Sequence, residues 1–187
     1  LAEKIRKTDD DKDLNLLFSA CWGKVKRAKR DAEEFVARCA HNLDENFNKN
    51  DKRADLDEYY EKYPDSKNVD KAITILKHMD KTLVGKEINT KMFSAGKMHQ
   101  YFLFANEYFG KGHKLKKEGY NKFLDYFLNK HAEEVEKSER VIEEEKKNKS
   151  YKFWLEHHLY QEYFSKRIEL AKKWASGLRE EMGDFLR

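Results

Sequence analysis

A histidine and a glutamate in the last third of the chain have the residue types and the spacing of a metal-binding pair. His158 and Glu162 are four residues apart, which places both side chains on one face of a helix. Imidazole nitrogen and carboxylate oxygen are common ligands of Zn²⁺. The same spacing also serves contacts on the surface or between helices, and we favour that interpretation. The pair is therefore a candidate metal site with a structural alternative.

A run of seven glutamates occupies positions 133 to 145 and includes Glu134. Lysines and arginines alternate with these glutamates, among them Lys137 and Arg140. Opposite charges three or four residues apart on a helix form ion pairs with each other. We therefore favour a solvated helix face over a cation-binding cluster.

The chain has two cysteines, Cys21 and Cys39, on the same apolar stripe. If one helix carries both, the rise of about 1.5 Å per residue places their Cα atoms about 27 Å apart. A disulfide requires a separation of about 7 Å or less. Either both thiols are unpaired and buried, or the helix folds back near Gly23 and they form a disulfide. We favour the unpaired alternative.

Motifs of the common enzyme classes are absent from the sequence. It contains no G-x-S-x-G nucleophile motif, no glycine-rich phosphate or dinucleotide loop and no H-E-x-x-H metal motif. We therefore predict no catalytic residues and no cofactor. The protein is expected not to be an enzyme.

Helices must position these side chains, because the composition disfavours other fold classes. One Pro and eight Gly in 187 residues are too few for the frequent turns of an all-β protein. Twelve Phe, ten Tyr and three Trp supply material for a core, which argues against disorder. Apolar residues recur at steps of three and four almost throughout. The sequence predicts an all-α, multi-helix bundle of five to seven helices with antiparallel up-and-down packing.

Two long apolar stripes organise this bundle. The first covers residues 14–39 and predicts about seven turns of helix, and the last covers residues 153–185 and predicts packing along a partner helix. Since no linker divides the chain, we predict a single helical domain over residues 1–187. Within it, an N-terminal helical portion (1–64) is expected to pack on a helical core (67–187).

The charge pattern argues against a nucleic-acid partner. Lys plus Arg number 39 and Asp plus Glu number 35, which gives a net charge of +4. The densest basic run, residues 24–30, is followed directly by three acidic residues, so basic side chains are not concentrated on one face.

No stretch approaches about 18 consecutive apolar residues, so we expect no membrane span. We expect a secreted or a cytoplasmic protein and prefer the secreted alternative.

Three segments in the second half of the chain resemble helices of ferritins. Residues 123–136, an aromatic run followed by Glu-Glu-x-Glu, look like the second bundle helix. Residues 97–109 are similar to the end of the preceding helix, especially in insect secreted ferritin light chains, and residues 154–162 resemble the fourth helix. Over residues 90–180, the resemblance to ferritin-like helical bundles implies a metal-handling protein.

At the positions of the ferritin ferroxidase centre, the chain differs from that family. Glu134 matches the glutamate of the second-helix Glu-x-x-His motif, which makes it the third candidate metal ligand, but Lys137 stands where the histidine belongs. A protonated lysine cannot ligate iron. The resemblance therefore implies a light-chain-like or repurposed bundle without a ferroxidase centre.

A shorter segment, residues 47–59, resembles a degenerate EF-hand loop with its exit helix. The loop is too short for twelve positions and lacks the turn glycine. We favour a polar connection between helices over a calcium site.

Two functions follow as expectations. The first is a non-enzymatic helical binding or interaction protein, of a secreted or effector type, that binds a protein or small-ligand partner. Its candidate contacts are the aromatic residues Trp22, Tyr59, Tyr60 and Trp174, since Tyr and Trp are enriched in binding hot spots; burial in the core is the alternative that we prefer for most of them. The second is a ferritin-like or degenerate EF-hand metal-handling bundle.

Overall fold

Helices account for nearly all of the regular structure. The computed structural model describes residues 2–8, 11–22, 29–45, 53–88, 92–145, 164–181 and 183. Within these ranges there are eight α-helices, two short 3-10 helices (Lys12–Leu14 and Phe109–Lys111) and no β-strand. The α-helices are α1 (Ala2–Lys7), α2 (Asn15–Trp22), α3 (Lys29–Asp44), α4 (Arg53–Lys62), α5 (Asn68–Lys81), α6 (Ala95–Tyr108), α7 (Gly119–Glu145) and α8 (Phe164–Glu181). The predicted all-α fold class is confirmed.

The structure describes eight α-helices, one more than the upper limit of the predicted five to seven. The six-residue α1 buries a single residue, Ile5, and is therefore too short to show an apolar stripe in the sequence. Residues 153–163, the first part of the predicted last stripe, lie outside the described residues, and residues 164–181 of that stripe form α8.

The first apolar stripe, predicted as one helix over residues 14–39, is in fact two helices packed together. The ring centroids of Trp22 at the end of α2 and Phe35 in α3 are 6.0 Å apart. In a continuous helix, the thirteen steps between these residues would separate them by about 20 Å. The alternative of one continuous helix of seven turns is therefore wrong, and the packing of the two helices agrees with the alternative in which the helix folds back. The stripe persists in the sequence because α2 and α3 both pack on α5.

The carboxylate of Asp44, the last residue of α3, fixes where α4 and α5 lie. It accepts hydrogen bonds from the Tyr59 hydroxyl at 2.9 Å, the Ser66 hydroxyl at 2.6 Å and the Asn68 amide at 2.7 Å. Hydrogen bonds to a charged group are stronger than neutral ones. Asp44 thus connects the end of α3 to α4 and to the start of α5.

Aromatic rings from α6, α7 and α8 form the part of the core that positions the candidate site. Tyr101 and Phe104 of α6 lie with their ring centroids 4.5 Å from Phe127 and Phe123 of α7, respectively. Trp174 of α8 packs edge-on against Phe104 at 6.4 Å and Phe127 at 6.0 Å. Because all five rings are buried, they fix which faces of α7 and α8 meet.

Contacts across the chain also connect its two predicted portions, for example a salt bridge of 2.7 Å between Lys4 and Asp70. The single-domain organisation and the antiparallel packing stay predictions. Among the helices that the structure describes, none is long and apolar enough to cross a bilayer.

Candidate ligand-binding groove

A groove between α7 and α8 is the candidate functional site. Its cavity volume is about 530 Å³, within the range of about 300–1,000 Å³ that is typical of small-molecule sites. α7 contributes Tyr126, Lys130, Glu133, Glu134 and Lys137 to its lining. α8 contributes the apolar positions Leu170, Trp174 and Gly177 and the polar residues Lys173, Ser176, Glu180 and Glu181. We call this site the α7–α8 groove.

The aromatic side of the α7–α8 groove is held by the core. Trp174 and Tyr126 are only 5% and 7% exposed, although both line the groove. Trp174 is fixed against the two phenylalanine rings described above, and the Tyr126 ring stacks on Phe104 at 6.0 Å. These side chains have little rotamer freedom left to lose when a ligand binds, and this preorganisation favours binding.

Two hydrogen-bond donors of the groove lining have no hydrogen-bond partner among the described residues. They are the Tyr126 hydroxyl and the Trp174 indole N–H. The Tyr126 hydroxyl reaches Gly177, since a Cβ atom at position 177 would lie 2.6 Å from its oxygen. Glycine at this position therefore leaves room for the hydroxyl on the groove wall, where it can donate a hydrogen bond to a ligand.

Charged side chains surround the Tyr126 ring. The Nζ atom of Lys130 lies 3.3 Å from the Glu133 carboxylate, 4.0 Å from the Glu181 carboxylate and 5.5 Å from the Tyr126 ring centroid. Burial raises the pKa of Tyr126 to about 12, and the negative charges of Glu181, Glu133 and Glu180 act in the same direction. The hydroxyl consequently stays protonated at neutral pH.

The structure places one of the three candidate metal ligands in the groove. The Glu134 side chain is 15% exposed and its carboxylate lies 3.7 Å from the Lys137 Nζ. His158 and Glu162 lie outside the described residues. No group of three or more His, Cys, Asp or Glu side chains within the described ranges could hold a metal ion. Metal binding by these three residues stays a prediction.

The two cysteines belong to the packed interior. Cys39 is fully buried in α3 and Cys21 is half-buried in α2 against the same core, and the two do not form a disulfide with each other. Burial raises the pKa of the Cys21 thiol to about 12. Since the thiolate is the reactive form, this shift lowers the reactivity of Cys21 at neutral pH.

The aromatic residues proposed as contacts divide between the core and its edge. Tyr59 is 1% exposed and Trp174 is 5% exposed, so both belong to the core, as the alternative interpretation predicts. Tyr60 and Trp22 are half-buried and pack against that core. Trp174 is the one of the four that also lines the α7–α8 groove.

Sequence reasoning did not single out Tyr126, Lys130 or Gly177. One signal was available, because glycine inside a helix costs about 1 kcal/mol relative to alanine and therefore indicates a close approach. Gly177 lies within the last apolar stripe, and the close approach there is that of the Tyr126 hydroxyl. Nothing local in the sequence indicates which residue makes it.

Comparison with protein-family models, with curated proteins and with solved structures finds no match to this chain. The resemblance of residues 90–180 to ferritin-like bundles stays a prediction. The EF-hand resemblance also stays a prediction, and residues 46–52, which include most of its loop, lie outside the described residues.

Proposed function

We propose that this chain is a non-enzymatic helical binding protein whose α7–α8 groove holds a small ligand. The observation that carries the proposal is a cavity of about 530 Å³ beside Tyr126 and Trp174. Each of these buried side chains has a hydrogen-bond donor without a partner among the described residues. A concave site with a rigid apolar wall and a few polar groups is the usual form of a small-molecule site.

The titration of Tyr126 supports binding rather than proton transfer in this groove. A general acid or base works best when its pKa lies near the operating pH. With a pKa of about 12, the Tyr126 hydroxyl keeps its proton at neutral pH and acts as a fixed donor. This fits a group that orients a ligand better than one that takes up protons from it.

A fragment screen followed by NMR tests the proposal. Fragments at millimolar concentration are added to the full chain, and the Trp174 indole N–H resonance is observed after assignment with a Trp174→Phe variant. We expect a subset of fragments to shift this resonance, because the indole N–H lines the groove without an internal partner.

Two matched variants locate the binding. Ser176 is exposed and lines the groove, so Ser176→Trp fills it without disturbing the core. Lys172 is exposed on the same helix and does not line the groove, so Lys172→Trp is the control. Fragments should lose binding to the first variant and keep it with the second. Equal binding to both, or a screen without any fragment that shifts the indole resonance, would contradict the proposal.

Measurements of metal binding on the same purified chain distinguish this function from the metal-handling alternative. Metal analysis of the purified chain and thermal shifts with Fe²⁺ and Ca²⁺ measure whether either ion binds the folded state, because a ligand selective for that state raises its stability. Stoichiometric metal, or a shift of several degrees at micromolar ion, would replace the proposed function by metal handling.

A further inference from the structure

Lys130 marks a position in the α7–α8 groove where a positive charge is held. Its ammonium group lies 3.3 Å from the carboxylate of Glu133 on α7 and 4.0 Å from that of Glu181 on α8. The distance of 5.5 Å to the Tyr126 ring centroid is within the range of about 6 Å for cation–π attraction. One aromatic ring and two carboxylates from different helices thus converge on one cation.

The Lys130 ammonium is held at this position only weakly. The side chains of Lys130, Glu133 and Glu181 are 27%, 51% and 59% exposed, respectively. Ion pairs between exposed side chains contribute about 0–1 kcal/mol, because water screens the charges and flexible side chains lose entropy. Lys130 can therefore leave the position at small cost, and a second cation can take it.

The charge of the whole groove also favours a cation over an anion. Four glutamates and three lysines line it, drawn from both helices that form it. Moving Lys130 into solvent would leave four carboxylates facing two ammonium groups. One of these, Lys137, lies 3.7 Å from Glu134. An anionic ligand would therefore meet an excess of negative charge, whereas a cationic ligand would neutralise part of it.

On the basis of the proposed function, we propose that the α7–α8 groove binds a small organic ammonium ion that carries an aromatic group, in competition with Lys130. The ligand ammonium occupies the position between Glu133 and Glu181 over the Tyr126 ring. The Tyr126 hydroxyl belongs to a side chain that is 7% exposed and has no partner among the described residues, so it remains available to a polar group of the ligand. The aromatic group packs against Trp174.

Phenethylammonium is the probe that tests this inference, with isothermal titration calorimetry as the measurement. Its neutral and anionic counterparts are 2-phenylethanol and phenylacetate, which have a similar aromatic group without the positive charge. We expect the wild-type chain to bind phenethylammonium more tightly than either counterpart. Higher salt should weaken this binding, because part of the attraction between exposed charges is screened.

Substitutions at the cation position sharpen the test. Lys130→Met removes the competing ammonium and should tighten phenethylammonium binding by up to about fivefold, equivalent to the upper limit of about 1 kcal/mol for holding Lys130 in place. Glu181→Gln removes one of the two carboxylates and should weaken it. Lys172→Met, on the exposed face of α8 away from the groove, should leave the affinity unchanged. Circular dichroism of each variant confirms that the helices are intact.

The outcomes separate this inference from the proposed function. Equal affinity of the wild type and Lys130→Met for phenethylammonium overturns the competition. Binding of phenylacetate or 2-phenylethanol as tightly as the cation, abolished by Ser176→Trp, overturns the choice of ligand and leaves the groove as a binding site. Failure of all three probes, together with a fragment screen that finds no ligand, overturns both.

Discussion

The buried carboxylate of Asp80 in α5 makes the stability of the fold depend on pH in a way that one substitution can isolate. The side chain is 6% exposed, and its Oδ1 atom accepts a hydrogen bond of 2.8 Å from the Leu17 backbone N–H. This hydrogen bond caps the first turn of α2, and the neighbouring Leu16 N–H also favours the charged form of the carboxylate. Burial raises the pKa of Asp80 from 3.8 to about 6, against the opposite effect of these two N–H groups.

The sign and size of the effect follow from the two pKa values. Because the folded pKa is the higher one, the folded state keeps a proton that the unfolded chain releases between pH 3.8 and about 6. Stability contributed by Asp80 is therefore present at acid pH and is lost as the pH rises through this window. About two pH units at 1.36 kcal/mol each correspond to about 3 kcal/mol by neutral pH.

Asp80→Asn removes the ionisation and keeps an acceptor for one of the two N–H groups. Urea unfolding followed by circular dichroism gives the free energy of unfolding of both proteins at pH 4 and pH 7. We expect the difference, variant minus wild type, to increase by about 2 kcal/mol over this range, because the unfolded carboxyl is already partly ionised at pH 4. Asp70→Asn, at an exposed carboxylate of the same helix, should show no such increase.

Only the difference between the two proteins is diagnostic, since buried histidines titrate over the same range and act in the opposite direction. A difference that stays constant from pH 4 to pH 7 would refute the reasoning. It would mean that the cap hydrogen bonds offset burial completely and that the folded pKa of Asp80 is close to its unfolded value.

Two further predictions concern α6, α7 and α8. Gly177→Ala should lower the unfolding free energy by about 1–3 kcal/mol despite the better helix propensity of alanine, because its Cβ would lie 2.6 Å from the Tyr126 oxygen. Tyr126→Phe should remove most of this loss. A double-mutant cycle by urea unfolding measures the coupling free energy between positions 126 and 177. Burial lowers the pKa of His99 and His131 to about 4, so stability should fall as the pH drops from 6.5 to 4. His131→Gln should reduce that loss by about 3 kcal/mol in acid titrations followed by circular dichroism, and an unchanged pH profile would contradict the assignment.

The periodicity of apolar residues predicted most of the helical structure because each helix buries one face. Apolar residues recur at steps of three and four over residues 69–79 and 98–109, which correspond to α5 and α6 with ends that differ by a few residues. Gly85 and Gly112, which follow these two helices, both have positive φ angles, 75° and 85°, which residues with a side chain rarely adopt.

Periodicity failed at the junction of α2 and α3 for a physical reason. An apolar stripe records that successive turns face the core, but it does not record the direction in which the chain runs. When two consecutive helices both pack on α5, their stripes join in the sequence as if they belonged to one helix. The contact between Trp22 and Phe35 that separates the two possibilities is a tertiary one.

The α7–α8 groove was beyond local sequence reasoning because its parts come from distant positions. Tyr126 and Gly177 are 51 residues apart, and no spacing rule connects residues on different helices. In the described part of the acidic run, the expected ion pairs within α7 do occur, such as that between Lys137 and Glu134. The pairing of Lys130 with Glu181 across the groove depends on which faces of α7 and α8 meet.

The same aromatic side chains build the core and the wall of the groove, so binding and folding must be linked in this protein. Trp174 reaches the groove from α8 while its ring is held between Phe104 of α6 and Phe127 of α7. The groove therefore exists only while α8 is docked on the other two helices. A ligand that binds this docked state alone stabilises it, by about 2.7 kcal/mol at a concentration of 100 times its Kd. Conversely, a substitution such as Phe104→Leu, at a buried residue that does not line the groove, should weaken ligand binding by loosening the wall to which Trp174 belongs.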